Sequence, residues 1–560
     1  MVLDRLRSLN RSIQAQDIVR YTKGKKIALA LCTGLYLIPI WLFTYFPTQD
    51  GPTHLENAMI LTQYYGTGGS LWHQYYAMNT AFVPTWLNHL ALAGLFKIMP
   101  PLIAEKFFLT GYIIGMVLSF RYFLRCLNWG ASFCTVLIFP FLYNCLLHSG
   151  FYSFSYSFIP YLILIGYFYR YRSVFGLRKA VLFFILSLLV YLLHPVSFIM
   201  VLVFVAALFF LDGVALVRSE GTQADKGRRF LRNFVPLLTM LFILILVVLF
   251  VSGRQPPRGG YSLPSLHELA RRTVLLLTFS PLMTYHFGEL ALTMALSLLS
   301  GLLLLRGGRA LFSADNRYRS LILVLLIYGA MYLLLPNDLF RVGGGGLTNR
   351  LALFTILLFL AWLGTNYHVW RLRLGLQICT YGLVLGLLAV HSAKYAELND
   401  YLNEYLSVAA HVLPETTLLP LSLAHQGRSL DGKDLTKRTF PFLHAAGFIS
   451  VERRVVEFTN FEAALDYFPL VFRRNLNPYV QLGDIESPLT LKSLEFPPGS
   501  GGRIDYILVW GLKVAADDRD KVEALMKLVK ESYEIVYVSR PRGLAELWRH
   551  KDFARHHPDS

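Results

Sequence analysis

Charged residues are scarce in this sequence, where Asp, Glu, Lys and Arg make up 16% of 560 residues. Soluble globular proteins average about 25%. Hydrophobic residues reach 55%, and many stand in runs long enough to cross a bilayer, such as the run from Ile27 to Phe46. This composition excludes an ordinary soluble protein and indicates an α-helical polytopic membrane protein.

Acidic residues are the scarcer charge, since 35 Asp and Glu stand against 53 Lys and Arg, giving a net charge of +18. In a soluble protein this excess would suggest nucleic-acid binding. Here the basic residues form short clusters between apolar runs, which is the pattern of the positive-inside rule. We therefore interpret the charge as a topology signal beside anionic lipid and expect no nucleic-acid partner.

Cysteine is also rare, and none of the five cysteines has the spacing of a metal site. All five lie in or next to apolar runs: Cys32, Cys126, Cys134, Cys145 and Cys379. The sequence after residue 393 has none, so we expect no disulfide framework there.

The distribution of basic clusters predicts about eleven transmembrane helices within residues 1–392. A basic leader that ends at Lys26 precedes the first span, which indicates an uncleaved signal anchor with a cytoplasmic N-terminus. Residues 47–102 then form the first outer loop, and the polar loop Asp212–Arg232 lies inside. The long apolar run Val181–Leu211 is predicted to break at His194-Pro195 into two short spans.

The first outer loop contains amphipathic segments that we expect to lie along the outer surface, namely Leu55–Tyr64 and Trp86–Ile98. A crossing at Phe82–Ile98 is the alternative. It would place Arg121 and Arg125 outside, which the positive-inside rule disfavours.

The composition changes at about Ala393 to that of a soluble protein. Residues 393–560 are predicted to form an extracytoplasmic α/β domain, because apolar, β-branched segments alternate with one amphipathic segment. The predicted strands are Thr416–Ala424, Ile504–Val514 and Ile535–Val538, and the predicted helix is Asp517–Tyr533.

Three ionisable residues, Asp50, His54 and Glu56, follow the first span directly. Ionisable groups at a membrane boundary are costly and usually functional. Gly51-Pro52 is predicted to hold them on a turn rather than in a helix. We expect Asp50 to be a general base for an acceptor hydroxyl, with helix capping near Thr53 as the alternative.

His54 and Glu56 are the second candidates for catalysis. Together with Asp50 they offer oxygen and imidazole donors that could bind a divalent metal such as Mg²⁺ or Mn²⁺. Their spacing matches no established metal motif, so we assign no metal ligand. The simpler interpretation of His54 and Glu56 is that they are solvated loop residues.

Substrate-binding candidates lie in the other outer loops. Arg341 and Arg350 flank a glycine run, where guanidinium groups could bind phosphate while glycine lets the backbone approach. Contact with lipid headgroups is the alternative. Arg271 and Arg272 carry the same argument more weakly. Two histidines, His194 and His148, are further candidates on the same side of the membrane.

The architecture, the Asp50-Gly-Pro-Thr-His54 stretch and the Pro336–Arg350 loop resemble the GT-C superfamily of integral-membrane glycosyltransferases. The resemblance implies a polyprenyl-phosphate-linked sugar donor, Asp50 as the catalytic acid of the first outer loop, and Arg341 and Arg350 at the donor phosphate. Many members carry a second acid in the next outer loop. Here that loop has His148-Ser149-Gly150 and no acid, which leaves metal dependence open.

We therefore expect an inverting glycosyltransferase that transfers sugar to a lipid, glycan or protein acceptor on the outer face of a bacterial inner membrane. The alternative is a non-enzymatic lipid-binding or transport subunit, or an inactive scaffold for a partner enzyme. Transporters usually show inverted repeats and polar residues at mid-membrane. The polar residues here gather on one side, which favours chemistry at the surface.

Overall fold

The computed structural model describes residues 24, 26–66, 71–218, 220, 222–257, 260–285, 287–312, 320–341, 343, 345–365, 374–515 and 518–556. Nearly all of the basic leader therefore lies outside the described residues.

Helices dominate the chain up to residue 406. In chain order they are α1 Lys26–Leu42, α2 Gly51–Gln63, α3 Leu71–Tyr75, α4 Leu87–Phe96, α5 Pro101–Leu127, α6 Phe139–Leu142, α7 Cys145–His148, α8 Tyr152–Tyr171, α9 Leu177–Leu193, α10 Pro195–Arg218, α11 Gln223–Ser252, α12 Leu266–Leu277, α13 Phe287–Phe312, α14 Ser320–Leu334, α15 Leu347–Thr365 and α16 Leu374–Leu406. Four short helices follow: α17 Gly447–Arg453, α18 Pro478–Gln481, α19 Arg519–Ser532 and α20 Phe553–His556.

Within the described ranges, six helices are long and apolar enough to cross a membrane: α5, α10, α11, α13, α15 and α16. Shorter apolar segments include α1, α4 and α14. A helical membrane protein is thus supported, while the count of eleven spans stays a prediction. Helix α4 has only ten residues, too few to cross by itself.

The long apolar run breaks where the sequence predicts, because α9 ends at Leu193 and α10 begins at Pro195. Proline has no N–H to donate, so it fits the first turn of a helix but not the interior. His194 lies at this junction, where its backbone N–H donates to the Val190 carbonyl.

The C-terminal region contains a five-stranded mixed sheet in the order β3-β2-β5-β7-β6. Its strands are β2 Thr417–Ser422, β3 Val456–Glu457, β5 Tyr506–Trp510, β6 Tyr533–Val538 and β7 Ala545–His550. The structure confirms a strand within each of the three predicted segments and the predicted helix, α19, although β5 ends at Trp510 and Leu512–Val514 forms a 3₁₀ helix. Strand β7 was not predicted, because three of its six residues, Glu546, Arg549 and His550, are polar and hide the apolar pattern of a strand.

Residues 47–102, the predicted first outer loop, and the C-terminal region pack against each other. Strand β1, Tyr76–Met78, pairs antiparallel with β4, Leu470–Phe472. Helix α17 packs on α2 so closely that a Cβ at Gly447 would lie 2.7 Å from the Pro52 carbonyl carbon. This packing brings C-terminal residues to the Asp50 stretch.

Candidate active site

The predicted turn at Gly51-Pro52 is wrong, because helix α2 begins at Gly51. Pro52 is accommodated in the first helical turn, where no backbone N–H is required. The backbone N–H of His54 donates to the carbonyl of Asp50 at 3.2 Å. Asp50 and His54 therefore lie one turn apart on the same side of α2.

Asp50 occupies the N-cap position of α2, yet its side chain makes no capping hydrogen bond. The capping interpretation is therefore wrong. The carboxyl is buried, accepts a hydrogen bond from Gln49 Nε2 at 3.0 Å, and lies 3.7 Å from His444 Nε2. Burial raises the pKa of Asp50 to about 8, against the opposing effects of His54 and Gln49. The ionised form of such a group is a stronger base than an ordinary carboxylate, and it predominates above about pH 8.

His54 is buried and not solvated, which corrects the simpler interpretation of this residue. Its Nε2 lies 2.7 Å from the Gly150 carbonyl, and its Nδ1 lies 3.0 Å from Glu462 Oε1. His89, on α4, contacts the same carboxylate through Nε2 at 2.8 Å. Burial lowers the pKa of His54, but the effect of the Glu462 carboxylate is larger and opposite, so the pKa of His54 is raised.

Glu462 belongs to the short 3₁₀ helix Phe461–Ala464, which the Asn460 side chain caps. Although burial opposes ionisation, His54 and His89 hold the pKa of the Glu462 carboxyl far below its usual range. A carboxylate stabilised in this way is a poor base. Of the two acids, Asp50 is therefore the better proton acceptor.

Glu56 is also buried, so the solvated-loop interpretation fails for it too. Its side chain accepts a hydrogen bond from Ser450 Oγ at 2.9 Å and is not part of the group of donor atoms around His54. Burial and the neighbouring Glu457 carboxyl raise its pKa well above the usual range. The three metal donors considered from sequence, Asp50, His54 and Glu56, thus do not converge as one group.

A cavity of about 780 Å³ lies beside Asp50 and His54. Its polar wall comes from both the membrane helices and the C-terminal region: Asp50, His54, His194, Arg254, Arg350, Glu462, Tyr479 and Glu486. Its apolar wall comes from α10, α11, α14, α15 and the loop that follows α14: Ile199, Met200, Val247, Phe250, Val251, Met331, Leu335, Leu339, Leu347 and Leu351. The cavity is therefore lined by both polar and apolar side chains.

Arg350 is buried at the cavity wall and lies against two aromatic rings, with its guanidinium carbon 4.9 Å from the centre of Phe151 and 5.7 Å from that of Phe154. Its Nη1 donates to the Gly345 carbonyl, whereas its Nε has no hydrogen-bond partner among the described residues. Arg254 is the second cavity arginine. It pairs with Asp466 at 3.0 Å and stacks on Phe250 and Tyr467.

The remaining predicted residues are distributed differently. His194 lines the cavity, whereas Arg341 is exposed outside it and contacts Gln255. Arg271 and Arg272 pair with Glu268, and Arg272 also donates to three carbonyls at the end of α14. His148 is buried beside Tyr395 and Thr284. Of these six outer-loop candidates, the cavity brings together Arg350 and His194.

Sequence reasoning missed His89, Arg254 and Glu462. His89 lies in the segment Trp86–Ile98, whose only sequence signal is its amphipathic pattern. Arg254 is one of many arginines in the predicted loops, and nothing in the sequence distinguishes it from the others. Glu462 is separated from His89 by 373 positions. A contact over that separation leaves no local periodicity or spacing that could indicate it.

Gly150 provides a local test of this arrangement. Its φ is +85°, and a Cβ would lie 2.6 Å from the Asp50 nitrogen. We expect Gly150→Ala to destabilise the protein by about 1–3 kcal/mol beyond the left-handed strain alone, because the new methyl group displaces Asp50. Thermal unfolding in detergent measures this loss.

Gly432→Ala is the matched control for Gly150→Ala. Gly432 has φ +81°, and a Cβ there would meet no atom within 4 Å. We expect Gly432→Ala to lower the free energy of unfolding by about 1–2 kcal/mol, which measures the cost of the left-handed backbone alone. Equal losses in the two variants would contradict close packing of Gly150 against Asp50.

No protein-family model and no curated protein matches this sequence. The function must therefore be inferred from the chemistry of the cavity.

Proposed function

We propose that this protein is a membrane glycosyltransferase that moves a sugar from a polyprenyl-phosphate-linked donor to an acceptor hydroxyl on the outer face of the membrane. The observation that carries the proposal is the cavity itself. It combines apolar side chains of several helices with a buried acid and two arginines. A donor of this class combines the matching parts, which are an apolar chain, a phosphate and a sugar.

The apolar side chains of the cavity wall provide the path for the lipid. Val251 and Leu335 line the cavity and are also 41% and 37% exposed, at the ends of α11 and α14. An opening at these two helix ends lets an isoprenoid chain enter sideways from the bilayer. Chain burial there is favourable by roughly 25 cal/mol per Å² of apolar surface.

The arginines provide the phosphate site. Arg254 already pairs with Asp466, while Arg350 has no acidic partner among the described residues. A buried charge without a counter-ion is costly, and a bound phosphate would supply that counter-ion. Guanidinium groups bind phosphate through paired, charge-assisted hydrogen bonds.

Asp50 is assigned the role of general base. Its carboxylate takes the proton from the acceptor hydroxyl as the acceptor oxygen forms a bond to the anomeric carbon. The bond between that carbon and the phosphate oxygen breaks, and the electron pair leaves with polyprenyl phosphate. Attack from the side opposite the phosphate inverts the anomeric configuration, and the arginines stabilise the charge that grows on the leaving group.

The lipid path is tested by filling it. Val247 faces the cavity on α11, and Leu249 on the same helix is 64% exposed on its outer side. We expect Val247→Trp to weaken binding of polyprenyl phosphate by at least about tenfold, equivalent to about 1.4 kcal/mol, because the indole occupies the space of the chain. Native mass spectrometry of the purified protein measures bound lipid.

Leu249→Trp is the matched control, because it adds the same side chain to the same helix outside the cavity. We expect its lipid binding to equal that of the wild type. Equal binding in both variants would remove the lipid from this cavity. Lipid binding without release of polyprenyl phosphate from any sugar-linked donor would favour the lipid-binding subunit over the enzyme.

A further inference from the structure

Three buried side chains bring metal-donor atoms together at the wall of the cavity. His54 Nδ1, His89 Nε2 and one oxygen of Glu462 all lie within 4.8 Å of one another. The nearest separations are 3.1 Å between the two nitrogens, 3.0 Å from His54 Nδ1 to Glu462 Oε1, and 2.8 Å from His89 Nε2 to the other oxygen, Glu462 Oε2. Two residues come from the first outer loop and one from the C-terminal region.

The hydrogen bond of His54 to the backbone fixes which of its nitrogens carries a proton. A carbonyl oxygen can only accept, so Nε2 must donate to the Gly150 carbonyl at 2.7 Å. In the neutral ring, Nδ1 then presents a lone pair toward Glu462 and His89. Histidines that bind metals commonly donate their other N–H to a backbone carbonyl in this way.

Outer contacts hold the carboxylate in place as well. Asn57 Nδ2 donates to Glu462 Oε2 at 2.7 Å, and Asn460 Nδ2 donates to Asn57 Oδ1 at 2.8 Å. Hydrogen-bonded partners of this kind orient the donor atoms of a metal site.

We propose that His54, His89 and Glu462 bind a divalent cation of the zinc class. Two imidazoles and a carboxylate suit Zn²⁺ and similar transition metals, whereas Mg²⁺ prefers oxygen donors. Donor atoms around a tetrahedral zinc at about 2.1 Å are about 3.4 Å apart, so the three atoms need to separate by about 0.3–0.6 Å.

The fourth coordination position of such a site is open to the cavity. His54 and Glu462 both line the cavity, so a cation held between them faces it. Three protein ligands with one open position are typical of zinc sites that bind water or a substrate oxygen. The cation also joins the first outer loop to the C-terminal region, because its ligands come from both.

Metal content is the direct test. The full-length protein is purified in detergent without chelator, supplied with Zn²⁺, freed of loose metal and analysed by mass spectrometry for bound metals. We expect about one tightly bound zinc per chain, reduced at least about tenfold in His89→Gln and in Glu462→Gln. His148→Gln is the control, since His148 is equally buried but outside the group, and it is expected to keep its zinc.

Cobalt provides a second readout that needs no variant. Wild-type protein loaded with Co²⁺ is expected to show the intense visible d–d absorption of a four- or five-coordinate site, and added Zn²⁺ is expected to abolish it. The cobalt spectrum of the folded wild type therefore tests the metal site even if a variant loses zinc because it no longer folds.

The alternative is an ion pair of protonated His54 with the Glu462 carboxylate and no metal. Absence of bound zinc and cobalt in the folded wild type, binding of Mg²⁺ only, or undiminished zinc in both variants would overturn the metal site. None of these readouts depends on sugar transfer, so the metal site and the proposed activity succeed or fail separately.

Discussion

Asp50→Asn is expected to lower sugar transfer by roughly a hundredfold or more, while the variant folds as well as the wild type. The amide keeps the size of the side chain and can still accept the hydrogen bond from Gln49, but it cannot take a proton. Because Asp50 makes no capping hydrogen bond, no loss of helix stability accompanies the change. Release of polyprenyl phosphate and thermal unfolding are measured on the same preparation.

Asp50→Glu is expected to fail as well. It moves the carboxylate by one methylene, and a displacement of about 1 Å can cost a hundredfold in rate. Gly150 packs against the backbone of Asp50, so the longer side chain cannot be accommodated by a simple backbone shift.

Glu486→Gln is the informative comparison for Asp50→Asn. Glu486 also lines the cavity, and burial raises its pKa, although it accepts a hydrogen bond from Tyr479 at 2.7 Å. We expect this variant to retain most of the transfer rate. If Glu486→Gln abolished transfer and Asp50→Asn did not, the base would be Glu486.

The contrast between Asp50 and Glu462 shows what the sequence could and could not predict. Asp50 was identifiable because it follows an apolar run directly, and a charged group at a membrane edge is detectable locally. Glu462 lies in a stretch without such a signal. Its importance arises only when the C-terminal region packs on α2 and α4, which is a property of the tertiary structure.

The errors at α2 have a physical origin as well. Gly51-Pro52 is a strong turn signal by itself, yet proline also fits the first turn of a helix. The C-terminal region packs over this segment and buries His54 and Glu56. These residues therefore do not lie in a solvated loop. The local sequence contains no signal for this long-range packing. The helix break at His194, in contrast, could be predicted from Pro195 alone.

Arg350 and Arg341 provide the second large test. Both flank the same glycine run in the sequence, but only Arg350 lines the cavity in the structure. Arg350→Ala is expected to weaken binding of polyprenyl phosphate by roughly 1.5–3 kcal/mol, the contribution of a hydrogen bond to a charged group. Arg350→Lys is expected to restore only part of the loss, since an ammonium lacks the planar pair of donors. Affinities are measured by titration in detergent or nanodiscs.

Arg341→Ala is the matched control, since it removes the same charge nine positions before Arg350, in the loop that precedes α15, at an exposed position that does not line the cavity. Its affinity for polyprenyl phosphate is expected to stay within about twofold of the wild type, as for an exposed charge that is screened by salt. Equal losses at both positions would mean that the loop acts by its overall charge on the lipid surface. A loss at Arg350 alone, with binding of a neutral polyprenol unchanged, would place the phosphate at the buried guanidinium, where no described acid balances its charge.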